Sequence, residues 1–345
     1  MRTLRLAQQD IDQAAAVLRR GGLLGIPTET VYGLGANGLD TEAVAHIFQA
    51  KGRPQDNPLI LHIPGADHLE RYCRDIPDSA YALAARFWPG PLTMILKRRD
   101  LVPDAVTAGL DTVGMRCPAH PLCRAILQAA DVPVAAPSGN TSGKPSPTTA
   151  AHMLADMDGK IDAIVDGGAC AVGVESTIVD LTCDPPRLLR PGGITREQLE
   201  SVLGPVAVDA AVVRPMGAGE KPRAPGMKYR HYAPKAPVTV VKGAPAPTAR
   251  YIAAHADAGD GVLCFDEFAG LFPRQVVARL GRCDDPAEQA RHVFDALRFF
   301  DGTPVTQIWA QCPDETGVGL AVANRLNKAA GFHIITPEGE VGESL

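Results

Sequence analysis

The residues of this 345-residue chain that could do chemistry are suited to binding and charge stabilisation, and they fall in a few short stretches. The first runs from Ile26 to Ile63. Thr28, Glu29, Thr30 and Tyr32 follow the apolar run Leu23–Ile26, Lys51 and Arg53 flank Gly52, and Asn57-Pro58 leads into Leu59-Ile-Leu-His-Ile63, where His62 is the one polar side chain. Two cations near a set of hydroxyls suit an anionic ligand accompanied by a small polar one. Taken alone, Lys51 and Arg53 equally suit the carboxyl end of a helix dipole, and a single strand histidine is commonly a satisfied core residue. The second stretch is Pro137-Ser-Gly-Asn-Thr-Ser-Gly-Lys-Pro-Ser146, directly after the apolar run Val132–Ala136. Its backbone N–H groups, hydroxyls and lysine suit phosphate oxygens. The spacing is not that of a Walker loop, because Gly139 and Gly143 stand too close and Pro145 follows Lys144. Thr112, Arg116, Ser176 and Arg190 stand at the ends of further apolar runs. No nucleophile and base share a telling spacing, so covalent catalysis is not indicated.

Such residues need strands that end where they begin. Leu23–Ile26 reads as a buried strand stopped by Pro27 before a hydroxyl-rich turn containing Gly33 and Gly35. Asp40 or Thr41 caps a helix over Thr41–Ala50 that Gly52 closes. Strands are expected at Leu59–Ile63, Leu92–Leu96, Thr112–Arg116, Val132–Ala136, Ala163–Val165, Val174–Val179 and near Leu188–Arg190. Helices are expected at Asp10–Arg20, Asp78–Trp88, Pro121–Ala130 and Arg196–Leu203. This alternation predicts an α/β domain with a twisted, mixed sheet over about residues 1–205.

Residues 206–236 differ in composition. Between residues 216 and 240, Lys221, Arg223, Lys228, Arg230 and Lys235 face a single acidic residue, Glu220, within a run punctuated by Pro and Gly. That favours an extended linker. Tyr229, His231 and Tyr232 are more than a spacer requires, so the segment is expected to lie back over the pocket as a lid. Residues 237–345 repeat the alternation on a smaller scale: strands Val238–Val241, Val262–Phe265, Val276–Leu280 and Thr306–Ala310, helices Ala249–Ala258, Pro286–Phe300 and Gly319–Ala330. A small Rossmann-like open sheet is predicted. Gly317-Val-Gly319 lacks the third small residue of a dinucleotide fingerprint, Val322 standing in its place, so NAD is not expected.

With 46% hydrophobic and 21% charged residues the chain can form two cores. It shows no long apolar run, which leads to the expectation of a cytoplasmic protein without a membrane partner. The eight cysteines form no Cys-x-x-Cys pair and read as reduced thiols. A formal charge of −5 argues against a dedicated RNA-binding module despite the basic linker.

Thr28-Glu-Thr-x-Tyr-Gly33, Lys51-Gly-Arg-Pro54, Asn57-Pro-Leu59 and Pro137-Ser-x-Asn140 together closely resemble the signature of the YrdC-like domain of threonylcarbamoyl-AMP synthases. The linker Pro225–Pro234 and the run Ala323–Ala330 resemble the long form of that family. The resemblance implies a YrdC-like domain with a catalytic cleft, followed by a smaller Rossmann-like domain. It implies condensation of L-threonine, bicarbonate or CO2, and ATP to threonylcarbamoyl-AMP and pyrophosphate, for modification of the tRNA adenosine next to the anticodon. It further implies that Thr30, His62, Arg116, the backbone around Ala136, and Ser176 hold threonine. Lys51 and Arg53 act on the reacting phosphates, and Arg53, Asn57, Thr112, Ser138, Ser146, Arg190 and Tyr229 hold ATP. Magnesium is expected to arrive with ATP rather than in a protein cage. The product is expected to pass to a threonylcarbamoyl-transferase complex, and a direct contact with tRNA is left open. A hydrogenase-maturation carbamoyltransferase shares the YrdC-like domain but would need Cys-x-x-Cys zinc motifs, which this sequence lacks.

Overall fold

The computed structural model describes residues 2–217, 222–227 and 231–337. The chain divides into two compact units, Met1–Tyr229 and Arg230–Leu345.

The first unit is built on a mixed sheet of 11 strands. In chain order these are β1 Leu4–Leu6, β2 Leu24–Ile26, β3 Gly33–Asn37, β4 Ile60–His62, β5 Leu92–Lys97, β6 Thr112–Arg116, β7 Val134–Ala135, β8 Ala163–Val165, β9 Thr177–Asp180, β10 Arg187–Arg190 and β11 Ala207–Val208. Their order across the sheet is β1-β8-β2-β3-β7-β4-β6-β5-β9-β10-β11. The helices of eight or more residues are α1 Ile11–Arg19, α2 Thr41–Lys51, α3 Asp78–Phe87, α4 Pro121–Ala130, α5 Ala150–Met157 and α6 Arg196–Leu203.

Local chemistry sets the boundaries that matter for function. Asp40 caps α2 by accepting from the N–H groups of Glu42 and Ala43, and Gly52 closes the helix at φ 63°, a left-handed conformation glycine adopts without a Cβ penalty. Lys51 and Arg53 are thereby fixed at the turn that leads to β4. Thr195 and Gln198 form a reciprocal capping box at the start of α6.

The expected turn containing Gly33 and Gly35 is shorter than predicted, because both glycines belong to β3, antiparallel to β2. A Cβ at Gly35 would lie 2.5 Å from Cδ1 of Ile26, so the glycine is there for close approach within the sheet and not for bending. The strand expected from Val174 starts only at Thr177, and β1, α5 and β11 have no counterpart among the predicted elements.

Alternation along the central strands sorts side chains between two faces. Leu61, Met94, Leu96, Val113, Met115, Val179 and Leu188 enter the main core. Ile60, Ile95, Ile178 and Leu189 point to the other face, where Met216, Ala224 and Met227 of the basic segment pack on them.

The second unit is a five-stranded sheet, all parallel: β12 Val238–Val241, β13 Gly261–Cys264, β14 Val276–Arg279, β15 Ile308–Gln311 and β16 Ile334–Ile335, in the order β14-β13-β15-β12-β16. Its long helices are α7 Pro245–His255, α8 Pro286–Phe300 and α9 Gly319–Ala329. Helix α7 begins four residues before the predicted Ala249, since Pro245 at its first position supplies a preset φ.

Candidate active site

Register places the polar residues in one row. His62 pairs with Arg116 across β4 and β6, Arg116 with Thr93 across β6 and β5, Thr93 with Ile178 across β5 and β9, and Ile178 with Arg190 across β9 and β10. Paired residues share a face, so His62, Arg116, Thr93 and Arg190 stand on the side of the sheet opposite the main core. A register shift between Leu188 and Arg190 lets Leu189 pack on that same side while Arg190 keeps its place in the row.

One end of the row is organised by a buried ion pair. Nη2 of Arg116 donates to Oε1 of Glu29 at 2.6 Å, and the N–H of Ala119 donates to Oε2 at 2.9 Å. Burial acts to raise the Glu29 pKa, but the Arg116 charge and the hydrogen bonds outweigh it and hold the carboxyl below its usual range. His62 is buried beside this pair, and burial together with the Arg116 charge lowers its pKa to about 3. Nε of Arg116 and Nδ1 of His62 have no hydrogen-bond partner among the described residues. Leaving such atoms dry and unpaired costs about 1–3 kcal/mol each. Thr30 is fully buried, its Oγ1 2.9 Å from Oγ1 of Thr28. Ala136 borders the same area, its N–H donating to the carbonyl of Ile60.

Loops supply the remaining polar groups. Nζ of Lys51 donates to the carbonyls of Ser138 and Asn140, both at 2.5 Å, and the Lys51 carbonyl accepts from the N–H of Ser142. Lys51 therefore anchors the Pro137–Ser146 loop on the end of α2. Asn140 donates to the carbonyls of Thr141 and Lys144, which curls the loop, while its Oδ1 and that of Asn57 are buried without a partner. Nη2 of Arg53 donates to the carbonyls of Asn57 and Pro58, and its guanidinium lies 6.0 Å from the Phe48 ring centre. Ser146 donates to Oε1 of Glu175 at 2.5 Å. Ser176 joins Thr93 (2.8 Å) and Arg190 (3.1 Å), and Nη1 of Arg190 reaches the carbonyl of Pro225 at 3.4 Å. Thr112 opens β6 and is half-buried.

The structure thus pairs His62 with Arg116, ties Ala136 to Ile60 two positions before His62, places Ser176 with Arg190, and ties Lys51 to Ser138, while Thr30 is next in sequence to Glu29, the partner of Arg116. Tyr229 lies outside the described residues. Sequence reasoning gave no role to Glu29, Thr93 or Glu175. The available signal was chemical, since a carboxylate in a turn otherwise headed for the interior needs a cation, and Arg116 closes a buried strand. Among the described residues no group of three or more His, Cys, Asp or Glu side chains could hold a metal ion.

A mixed-sheet α/β domain with buried polar side chains gathered along one face of its sheet, followed by a parallel α/β unit, is the class these features define. A family described as telomere recombination matches residues 16–192, and one described as threonylcarbamoyl-AMP synthase, C-terminal domain, matches residues 194–331. Threonylcarbamoyl-AMP synthases of Bacillus subtilis and Pyrococcus abyssi are 49% and 48% identical, covering 94% and 96% of this chain and 94% and 97% of their own lengths. The crystal structure of P. abyssi Sua5 complexed with L-threonine superposes with a TM-score of 0.92 at 46% identity, covering 98% of this chain and 100% of that one. The chain belongs to the threonylcarbamoyl-AMP synthase family.

Proposed function

We propose that the protein condenses L-threonine, bicarbonate or CO2, and ATP to threonylcarbamoyl-AMP and pyrophosphate. The observation that carries the threonine half is the pair of unpartnered buried atoms, Nε of Arg116 and Nδ1 of His62, on neighbouring positions of one sheet row. A cationic donor suits a carboxylate. Thr30, Ser176 and the backbone at Ala136 supply the remaining polar contacts, which suits a hydroxylated amino acid in a water-excluded pocket.

The chemistry asks for placement. The neutral threonine amine forms an N–C bond to the carbon of CO2 or bicarbonate and loses a proton, giving a carbamate. A carbamate oxygen then forms a bond to the α-phosphorus of ATP, and the bond to the β-phosphate oxygen breaks with its electron pair leaving on pyrophosphate. Lys51, Arg53 and Arg190, with Asn57, Thr112, Ser138 and Ser146, are the groups assigned to ATP, and they stabilise charge that spreads over phosphoryl oxygens. Magnesium enters as the counter-ion that ATP brings. Residues 206–236 are read as a cover that keeps water from the mixed anhydride, a reading supported by the contact of Arg190 with Pro225. The adenylate then serves a threonylcarbamoyl-transferase that modifies tRNA. No helix among the described residues is long and apolar enough to cross a membrane, and we assign the protein to the cytoplasm.

The test is pyrophosphate release from ATP with threonine and bicarbonate each omitted in turn. Release is expected only when both are present; release that ignores threonine would overturn the assignment.

A further inference from the structure

Glu29 takes no part in the reaction as written, yet it is among the most heavily anchored side chains of the first unit. It is only 8% exposed. Oε1 accepts from Arg116, Oε2 accepts from Ala119, and its carbonyl accepts from the N–H of Val172 at 2.7 Å. One residue thus fastens the turn after β2 to the end of β6 and to the loop that leads to Ser176. With both oxygens engaged and the charged form favoured, the carboxylate is poorly suited to accept a proton from the threonine amine.

Arg116 shows what the anchoring achieves. A guanidinium is a planar fork that offers more than one edge. Nη2 is spent on Glu29, while Nε is buried with no partner. We propose that Glu29 is a positioning residue for threonine: it grips Arg116 by one corner so that the Nε edge stays presented to the substrate carboxylate. This rests on the threonine reading given above. Two effects compete. Glu29 orients the guanidinium, but its negative charge also opposes a second carboxylate nearby. The geometry favours orientation, because the carboxylate satisfies two donors at once. A glutamine in its place has one acceptor oxygen and would set its own N–H2 against either Arg116 or Ala119.

The experiment is steady-state pyrophosphate release with threonine varied. Glu29→Gln is expected to raise the threonine KM about tenfold with kcat within about twofold, the pattern of lost substrate binding. The ATP KM is expected to stay unchanged, which general damage to the cleft would not allow. In an Arg116→Gln background the Glu29→Gln change is expected to add nothing, because its effect passes through Arg116. A lowered threonine KM in Glu29→Gln would show that charge opposition dominates and would overturn the proposal. An equal further rise in the Arg116→Gln background would overturn it as well. If Glu29→Gln does not fold, Glu29→Asp carries the same measurement, since its shorter side chain keeps the charge but cannot span both donors. Threonine-independent release by the unaltered protein would refute the threonine reading instead, a result distinct from an unchanged KM in the Glu29 variants.

Discussion

Two buried polar sites at strand ends, one in each unit, answer the same physical problem in opposite ways. In the second unit Gln311 ends β15 and is fully buried. Its amide nitrogen donates to the carbonyl of Pro245 (2.8 Å) and to Oγ1 of Thr248 (2.9 Å), and its oxygen accepts from the N–H of Phe265. These partners lie beyond or behind β12 and β13, so Gln311 knits together loops at the carboxyl edge of the sheet. Open parallel sheets commonly take ligands there, where β12 and β15 send their connections in opposite directions. In the first unit His62 and Arg116 also end strands, yet each keeps a buried atom without a partner. Satisfied polarity holds a structure together, whereas unsatisfied polarity is stability forgone where a ligand supplies the missing bond. Fold analogy alone would have pointed to the second unit, and the hydrogen bonding points to the first. In the second unit Oδ1 of Asp266, just after β13, and the side-chain oxygens of Gln289 and Asn327 are also buried without a partner among the described residues, but they lie on separate elements, whereas His62 and Arg116 are paired neighbours in one sheet row.

The largest effect expected from this contrast is at Arg116. Arg116→Met should lower the stability of the first unit by about 3–5 kcal/mol, because Glu29 is left as a buried, uncompensated charge. Adding Glu29→Gln should restore most of the stability and none of the threonine binding. Urea unfolding and titration calorimetry with threonine read the two quantities. The chain has two tryptophans, Trp88 in the first unit and Trp309 in the second, so a Trp309→Phe background lets Trp88 fluorescence follow the first unit. If the double variant binds threonine normally, the row is a structural network like that of Gln311.

Leu59–Ile63 and Thr112–Arg116 were legible as strands from their apolar runs, but both faces of these strands are buried, so the sequence did not say which side faces the main core. Family-type motifs marked Thr30, Lys51, Ser138 and Arg190. Pairing was not legible: Glu29 and Arg116 are 87 positions apart, and nothing in a lone acidic residue between threonines states its partner. Strand β3 was misread for the opposite reason. Its glycines carry the local signature of a turn, and only the approach of Ile26 shows that they make room. Helix α5 was missed although Thr149 caps it through the N–H of His152, because Pro145 and Pro147 dominate the local signal.

The next effect in size tests the satisfied side. Gln311→Ala removes one acceptor and two donors from a dry position, so the second unit should lose about 1–3 kcal/mol of stability. Threonine KM and pyrophosphate release should not change. Trp309, in the middle of β15, reports this transition in a Trp88→Phe background. A rise in threonine KM would mean that the second unit shapes the cleft, and the division between binding and structural polarity would fail.

The smallest effect concerns His62 and depends on pH. Its folded pKa is lowered to about 3, first by burial and then by the Arg116 charge, whereas in the unfolded chain it returns to 6.5. Below the unfolded value the unfolded state takes up a proton that the folded state refuses, so stability contributed by neutral His62 is full above pH 6.5 and falls with pH. Glu29 also has a depressed pKa, but its loss begins only below 4.5, so the two windows separate. Between about pH 7.5 and pH 5.5 the His62 contribution should shrink by about 1.4 kcal/mol. Urea midpoints of the Trp309→Phe protein followed through Trp88, compared with a His62→Gln version across that range, isolate the difference. Bound threonine should leave the slope over this range unchanged, because His62 in the folded protein already carries no proton there and the unfolded state alone sets the dependence. Identical pH slopes with and without His62 would show that the imidazole is solvated in the folded protein, and the site would lose one of its two unpartnered atoms.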